Sequence, residues 1–204
     1  MFETVRNAFK IKDLRKKILY TLFILVVVRI GCQLPIPGVD ADYISQWFAD
    51  QNSLDFFNQL TGGSFEKMSI FALNITPYIT SSIILQLLTI AIPRLEELHK
   101  DGEEGRKKIS EYTRYVTIVL SLMESAAMAI GFASQGLLTD GATFTSITVC
   151  IVSMTAGSAL LMWLGEQITE HGVGNGISII LLYNIVSRMP EDISSLFNKF
   201  VKNA

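Results

Sequence analysis

Residues 68 to 93 read MSIFALNITPYITSSIILQLLTIAIP, and this stretch decides the fold. It contains no charged residue, which is typical of a helix that crosses a membrane. Asn74 and Pro77 nevertheless interrupt it where a simple membrane helix would continue. Pro77 suits the first turn of a new helix, because the amide hydrogen that proline lacks would have no partner there. We therefore predict that a helix begins near Thr76, with Thr76 as its cap, and ends before Pro93.

A more polar segment, residues 54–73, precedes this helix. It combines phenylalanines with charged residues and with the adjacent glycines Gly62 and Gly63, so it is too polar and too interrupted to span hydrocarbon alone. Irregular backbone exists at membrane depth only inside protein or beside water. The segment is therefore either an element enclosed by the membrane part of the protein or an amphipathic outer loop before an ordinary proline-started helix.

The composition of the whole chain is that of a membrane protein. Of its 204 residues 50% are hydrophobic and 18% are charged, and the mean hydropathy is +0.39. These values are too apolar for an ordinary soluble domain. Five apolar stretches approach the roughly 20 residues that cross a hydrocarbon core. We predict an all-α, polytopic membrane protein with five transmembrane helices, at residues 18–34, 76–92, 115–134, 143–165 and 177–189.

The positions of lysine and arginine predict the orientation of these helices. Six basic residues precede the first predicted helix and six follow the second, whereas Lys67 is the only one between residues 35 and 75. Because basic residues accumulate on the cytoplasmic side, we predict a cytoplasmic leader (1–17), loop (93–114) and turn (166–176). The outer segments are then residues 35–53, 54–73, 135–142 and 190–204. The leader is either an amphipathic helix at the inner membrane surface or a disordered basic segment.

The residues that would support enzymatic or metal chemistry are missing from the pattern. His99 and His171 have no cysteine or second histidine at ligand spacing, so we expect no metal site and interpret both as solvated loop residues. The glycine-rich stretch 171–176 follows no strand, which excludes a dinucleotide fingerprint. We predict a tight turn there, with Asn175 capping the next helix. Neither an acid pair nor an activated nucleophile lies within the spans, so an enzyme is the least favoured class.

Two ionisable residues, Arg29 and Glu124, lie within predicted spans at similar depth. An unpaired arginine at the centre of a membrane helix costs about 2.5 to 3.5 kcal/mol on the insertion scale. We therefore expect Arg29 to have a polar partner or a water-filled cavity, and Glu124 is one candidate.

One face of the helix 76–92 carries a polar stripe. Ser82, Gln86 and Thr89 recur at helical spacing, and Ile75 and Ile79 continue the same face outward. The last helix repeats this pattern more weakly, with Leu181 and Asn184 on the face that Ile177 begins. Such faces suit a water-filled inner funnel that closes at an apolar constriction. The pattern alone favours the alternative, interhelical packing in which hydroxyl groups form hydrogen bonds.

Four longer motifs identify a family that the chain resembles. They are RIGCQLPIPGVD (29–40), SIFALNITPYITSSIILQLLTIAIP (69–93), DGEEGRKKISEYTRY (101–115) and LMWLGEQITEHGVGNGISII (161–180). Together they resemble the SecY family of bacterial protein-translocation channels. The resemblance implies that residues 54–73 form the plug of the resting channel, including Phe56, Phe57, Leu60, Gly62, Gly63 and Phe65. It also implies a pore ring at Ile75, Ile79 and Leu181, and a lateral gate and funnel at Ser82, Gln86 and Thr89.

The same resemblance implies a role for the chain as the N-terminal half of an inverted-repeat, ten-helix channel. That channel passes unfolded secretory proteins across the plasma membrane and releases membrane proteins sideways into it. The implied partners are the SecE and SecG subunits, the SecA motor ATPase, the ribosome, polypeptides with signal sequences and the lipid bilayer, with no nucleic-acid site in this chain and no cofactor. The implied location is the bacterial inner membrane, with a cytoplasmic N-terminus. The alternative is half of a secondary transporter that binds a small solute at midplane.

Overall fold

The structure, a computed structural model, describes residues 11–39, 61–136, 138 and 143–197. These residues form six α-helices: α1 Lys12–Gly31, α2 Thr76–Ala91, α3 Pro93–Lys100, α4 Glu103–Ser134, α5 Phe144–His171 and α6 Gly176–Phe197. Their β pairing is limited to two isolated bridges, Pro35 with Ser69 and Val39 with Leu138. The predicted all-α class is confirmed. The predicted plug residues Phe56, Phe57 and Leu60 lie outside the described residues.

Two of the described helices, α4 and α5, are long and apolar enough to cross a membrane. A third span results if α2 and α3 count together, although the chain bends by 102° between them. Helix α1 carries four basic residues in its first six positions, and the apolar part of α6, Gly176–Pro190, is short. The count of five spanning helices stays a prediction.

Helix α2 begins at the predicted residue but without the predicted cap. Ile75 is the residue before the helix, no side chain caps it, and Pro77 occupies the first turn. The helix ends at Ala91, and Pro93 starts α3 after an extended Ile92. The interpretation of residues 93–114 as a loop is wrong, because α3 and the first turns of α4 occupy nearly all of it. Glutamate, lysine and arginine are strong helix formers, so these charged residues form helices although their hydropathy is low.

The described residues belong to two compact units. The first contains α1, residues 61–72, the end of α5 from Leu161 and α6, and the second contains α2, α3, α4 and α5 up to Leu160. In the first unit, Tyr20 of α1 donates to the Gln167 side chain of α5 at 3.3 Å. The hydroxyl of Thr21 accepts from the amide of Val173, after α5, at 3.2 Å. These bonds connect the middle of α1 to the end of α5 and to the turn that follows it.

That turn is as tight as the sequence predicted. Asn175 accepts through its side chain from the amide of Ser178, at 3.3 Å, and so caps α6. Thr169 of α5 accepts from the amide of Gly176, at 2.9 Å. A Cβ atom on Gly176 would lie 1.9 Å from the carbonyl oxygen of Gly165, so only glycine permits this approach of the two helices.

In the second unit, small hydroxyl residues pack α4 against its neighbours. The buried face of α4 repeats every four residues, at Thr113, Thr117, Ser121 and Ser125. The hydroxyl of Ser81 in α2 forms a hydrogen bond with that of Thr117, and Ser125 forms one with Thr155 of α5 at 2.9 Å. Small side chains let the helix backbones approach, and their hydroxyl groups bond across the contact.

Replacing Ser81 by alanine should lower the free energy of unfolding by about 0.6 to 1.7 kcal/mol, the range for such bonds between membrane helices. The loss is modest, because the Thr117 hydroxyl keeps its bond to the carbonyl of Thr113. Unfolding in mixed detergent micelles measures the change. Ser134→Ala is the matched control, because Ser134 is exposed and bonds to the carbonyl of Gly131 in its own helix. Equal destabilisation by both variants would contradict the assigned contact.

Candidate functional site

Residues 61–72, here named the turn segment, contain the described part of the predicted plug. They form a series of turns with no helix. The segment is well buried, with Thr61, Ser64, Met68 and Ser69 at most 5% exposed. Its backbone bonds to itself at short range, as in the 2.9 Å bond from the amide of Ser69 to the carbonyl of Ser64. Buried irregular backbone of this kind matches the first of the two sequence interpretations, an element enclosed by protein.

Arg29 of α1 binds the turn segment. Its Nη1 donates to the carbonyl oxygen of Gly62 at 2.9 Å and to the hydroxyl of Ser187 in α6 at 3.1 Å. The expectation that Arg29 has polar partners is therefore confirmed, and its charge is stabilised by two oxygens. Glu124 lies in the second unit, and its pairing with Arg29 stays a prediction.

A second arginine, Arg188 of α6, binds the same segment through a carboxylate. Its Nη1 lies 3.2 Å from Oε2 of Glu66, and the two side chains are 18% and 35% exposed. Arg188 directly follows Ser187, the residue that Arg29 contacts. Of these two neighbouring residues of α6, Ser187 binds Arg29, which in turn binds the turn segment, and Arg188 binds the turn segment directly through an ion pair.

The adjacent glycines of the turn segment make these contacts possible. Gly62 has φ +65° and Gly63 has φ +83°, both in the left-handed region that side chains disfavour. A Cβ on Gly62 would lie 3.0 Å from the carbonyl oxygen of Asn184 in α6, and one on Gly63 would lie 3.4 Å from Nη1 of Arg188. Glycine is therefore required at position 62 by backbone conformation and by space together.

The far end of the turn segment contacts α1 and the residues after it. The amide of Ile70 donates to the carbonyl of Leu34 at 3.0 Å, and Nζ of Lys67 donates to the Gln33 side chain at 2.7 Å in an exposed position. The ring of Phe71 lies against Gly31, where a Cβ would approach it to 2.1 Å. The segment is therefore fixed at both ends to elements of the first unit. Phe65, another predicted plug residue, is half-buried, and its amide donates to the hydroxyl of Thr61 at 3.3 Å.

The predicted polar stripe on α2 lines a cavity of about 250 Å³ within the second unit. Ser82, Gln86 and Thr89 form one wall, and α3 and α4 contribute the rest, including His99, Arg106 and Thr113. The side chain of Gln86 donates to the Ser82 hydroxyl at 3.3 Å. The structure thus brings the three predicted gate residues together around one cavity, which Leu85 and Ile109 also line, and their role as a gate stays a prediction.

The predicted pore-ring residues belong to both units. Ile75 and Ile79 lie in the second unit and Leu181 lies in the first. Ile75 is 1% exposed at the residue before α2, whereas Ile79 and Leu181 are half-buried. Their assignment to a ring stays a prediction.

Some features of the site were not visible in the sequence. The prediction that both histidines are loop residues is wrong. His99 lies in the last turn of α3 and His171 in the last turn of α5. No group of three potential metal ligands occurs in the described part of the chain. In the sequence, Arg106 and Arg188 stand out only as basic residues of a predicted loop and a predicted tail. The structure places Arg106 at the cavity and Arg188 in an ion pair. The signal that could have identified Arg188 is the single acidic residue, Glu66, in an otherwise uncharged stretch before Lys67.

Comparisons with known sequences give a consistent result. The family model described as SecY matches residues 69–204. The protein translocase subunit SecY of Bacillus subtilis is 44% identical over 200 residues, which are 97% of this chain and 46% of that protein. The subunit of the same name from Pseudomonas aeruginosa is 43% identical over 189 residues, which are 92% of this chain and 42% of that protein. The chain therefore spans about half the length of the relatives that it matches.

Solved structures show the same fold. Sec61 in the canine ribosome-channel complex from the endoplasmic reticulum matches with a TM-score of 0.60 and 19% identity, over 92% of this chain and 38% of that one. The structure described as that of a protein-conducting channel matches with the same values. Given the family match and the identities above 40% along nearly the whole chain, this chain belongs to the SecY family.

Proposed function

We propose that this chain forms one half of a protein-conducting channel, with the turn segment as part of the plug that closes the channel at rest. The observation that carries the proposal is the attachment of the turn segment to α1 and α6 by Arg29 and Arg188. The segment has no helix or named strand, yet its side chains Met68, Phe71 and Ala72 are buried. Its release therefore breaks apolar contacts as well as the bonds of Arg29 and Arg188, which suits a segment that stays in place at rest.

We further propose that Ile75, Ile79 and Leu181 contribute to the constriction that the plug closes. An apolar constriction excludes hydrated ions, because an ion that enters it loses water and gains no hydrogen bonds. The half-buried state of Ile79 and Leu181 supports this role, since such a residue presents part of its surface to the pore. Ile75 is 1% exposed, and its place in the ring rests on the family resemblance alone. Ser82, Gln86 and Thr89 then form the polar inner side of the path.

The proposed substrates are unfolded polypeptides with signal sequences, and the proposed location is the bacterial inner membrane with the N-terminus in the cytoplasm. The proposed partners are SecE, SecG, SecA and the ribosome, together with the remaining half of the channel. The translocase names of the relatives and the ribosome-channel complex of a structural neighbour support this assignment. We propose binding and conduction without covalent chemistry, and the energy for transport comes from the partners.

Crosslinking to a translocating polypeptide tests the proposal. A cysteine at Ile79 in the complete channel should crosslink to a polypeptide stalled during transport. Ile84→Cys is the matched control, because its side chain is 37% exposed and points about 140° away from Ile79 around α2 at 100° per residue. Strong crosslinking from both positions, or from Ile84 alone, would contradict the pore assignment. Protection of these cysteines by a small solute without any crosslink would instead indicate a transporter.

A further inference from the structure

The ion pair between Glu66 and Arg188 joins the turn segment to α6 by side chains alone. Glu66 is the only acidic residue between positions 61 and 72. Arg188 lies 12 residues after the start of α6 at Gly176, which is about 18 Å along the helix at 1.5 Å per residue. Both side chains are mostly shielded from solvent, at 18% and 35% exposure. The attraction between the charges is therefore stronger than at an open surface.

The space around Arg188 is shaped to admit its guanidinium group. Gly63 leaves the volume beside Nη1 free, since a Cβ there would lie 3.4 Å from that atom. The Nε atom of Arg188 is buried and has no hydrogen-bond partner among the described residues. The buried guanidinium group therefore loses hydrogen bonds to water, and its contacts in the described part of the chain replace only some of them. This desolvation cost limits the net stabilisation by the ion pair.

We infer that the Glu66–Arg188 pair is a positioning contact that determines how firmly the plug stays closed. The inference rests on the proposed channel function and deepens it. Arg29 fixes the turn segment through the main chain at Gly62, independently of charge on the segment. Arg188 adds a contact that depends on the carboxylate of Glu66, four residues further along. Loss of this contact lowers the stability of the closed plug and leaves the pore itself intact.

Charge exchange in the complete channel tests this inference. Arg188→Glu and Glu66→Arg each place like charges together, so each should raise the resting ion conductance in planar bilayers by about tenfold, as expected for a broken, partly buried pair. The double variant restores opposite charges, and its conductance should return to within about threefold of the original protein. Lys100→Glu is the matched control, because it likewise reverses one charge of an ion pair, but that pair, with Glu96 of α3, is exposed and lies outside the turn segment.

The inference would be overturned by a double variant that conducts as much as the single variants, or by a control that conducts as much as Arg188→Glu. Arg188→Lys provides a variant that keeps the charge and the fold, and its conductance should lie between those of the original protein and Arg188→Glu. A stalled polypeptide should open the unmodified channel in the same bilayers. If it does not, the proposed function fails, irrespective of the behaviour of the ion pair.

Discussion

Replacing Gly62 by valine should raise the resting ion conductance of the complete channel by about two orders of magnitude, because it combines two costs at one position. A β-branched residue at φ +65° adopts a conformation that costs about 1–3 kcal/mol. Its Cβ would also lie 3.0 Å from the carbonyl oxygen of Asn184. A total near 3 kcal/mol corresponds to about a hundredfold change in the ratio of open to closed plug. Single-channel recording without substrate measures this ratio.

A second glycine provides the control for the effect of backbone strain alone. Gly38 also has a positive φ, +85°, but an added Cβ would meet no atom within 4 Å. Gly38→Val therefore introduces similar strain outside the turn segment, and the resting conductance should stay near that of the original protein. A Gly62→Val channel that conducts no more than the Gly38→Val channel would show that Gly62 does not shape the closed plug.

Replacing Arg29 by leucine should also open the resting channel, while improving the membrane insertion of α1. The variant loses two hydrogen bonds from a charged donor, at 2.9 and 3.1 Å, and leaves the carbonyl of the buried Gly62 without this donor. Only the bond to Gly62 joins Arg29 to the turn segment. A hydrogen bond to a charged group contributes about 1.5–3 kcal/mol, so a tenfold to hundredfold rise in conductance is expected. Arg29 lies in the last turn of α1, so removing its charge should save at most the roughly 2.5–3.5 kcal/mol that a charge at the centre of a span costs.

The opposite signs of these two effects distinguish a functional role from damage to the fold. Glycosylation-site mapping or protease protection measures insertion, and conductance measures closure. Arg29→Lys keeps a charged donor and should conduct less than Arg29→Leu. An Arg29→Leu channel that inserts well and has the original resting conductance would exclude Arg29 as a plug contact.

The sequence predicted those parts of the structure that depend on neighbouring residues. The start of α2 followed from Pro77, and the cap of α6 followed from Asn175, because both effects act within one helical turn. The all-helical class followed from the lengths of the apolar stretches. The spacing of Ser82, Gln86 and Thr89 placed them on one face, and in the structure they line one cavity.

The remainder depends on contacts between distant residues, which periodicity does not encode. The partners of Arg29 are 33 and 158 residues away in the chain, and Glu66 is 122 residues from Arg188. The extended Ile92 before Pro93 explains why the chain bends between α2 and α3. The size of the bend, 102°, depends on how the two helices pack. Gly105 shows this packing, because its Cα lies so close to the carbonyl of Leu98 that a Cβ would overlap it.

The two arginines differ in what they bind, and this difference has an evolutionary consequence. Arg29 binds the main-chain oxygen of Gly62, so side-chain changes at other positions of the turn segment leave the acceptor of this bond in place. Arg188 binds the side chain of Glu66, so a single codon change abolishes or restores that contact. A lineage could thus adjust the leakiness of its resting membrane through one position, without altering the helices around it.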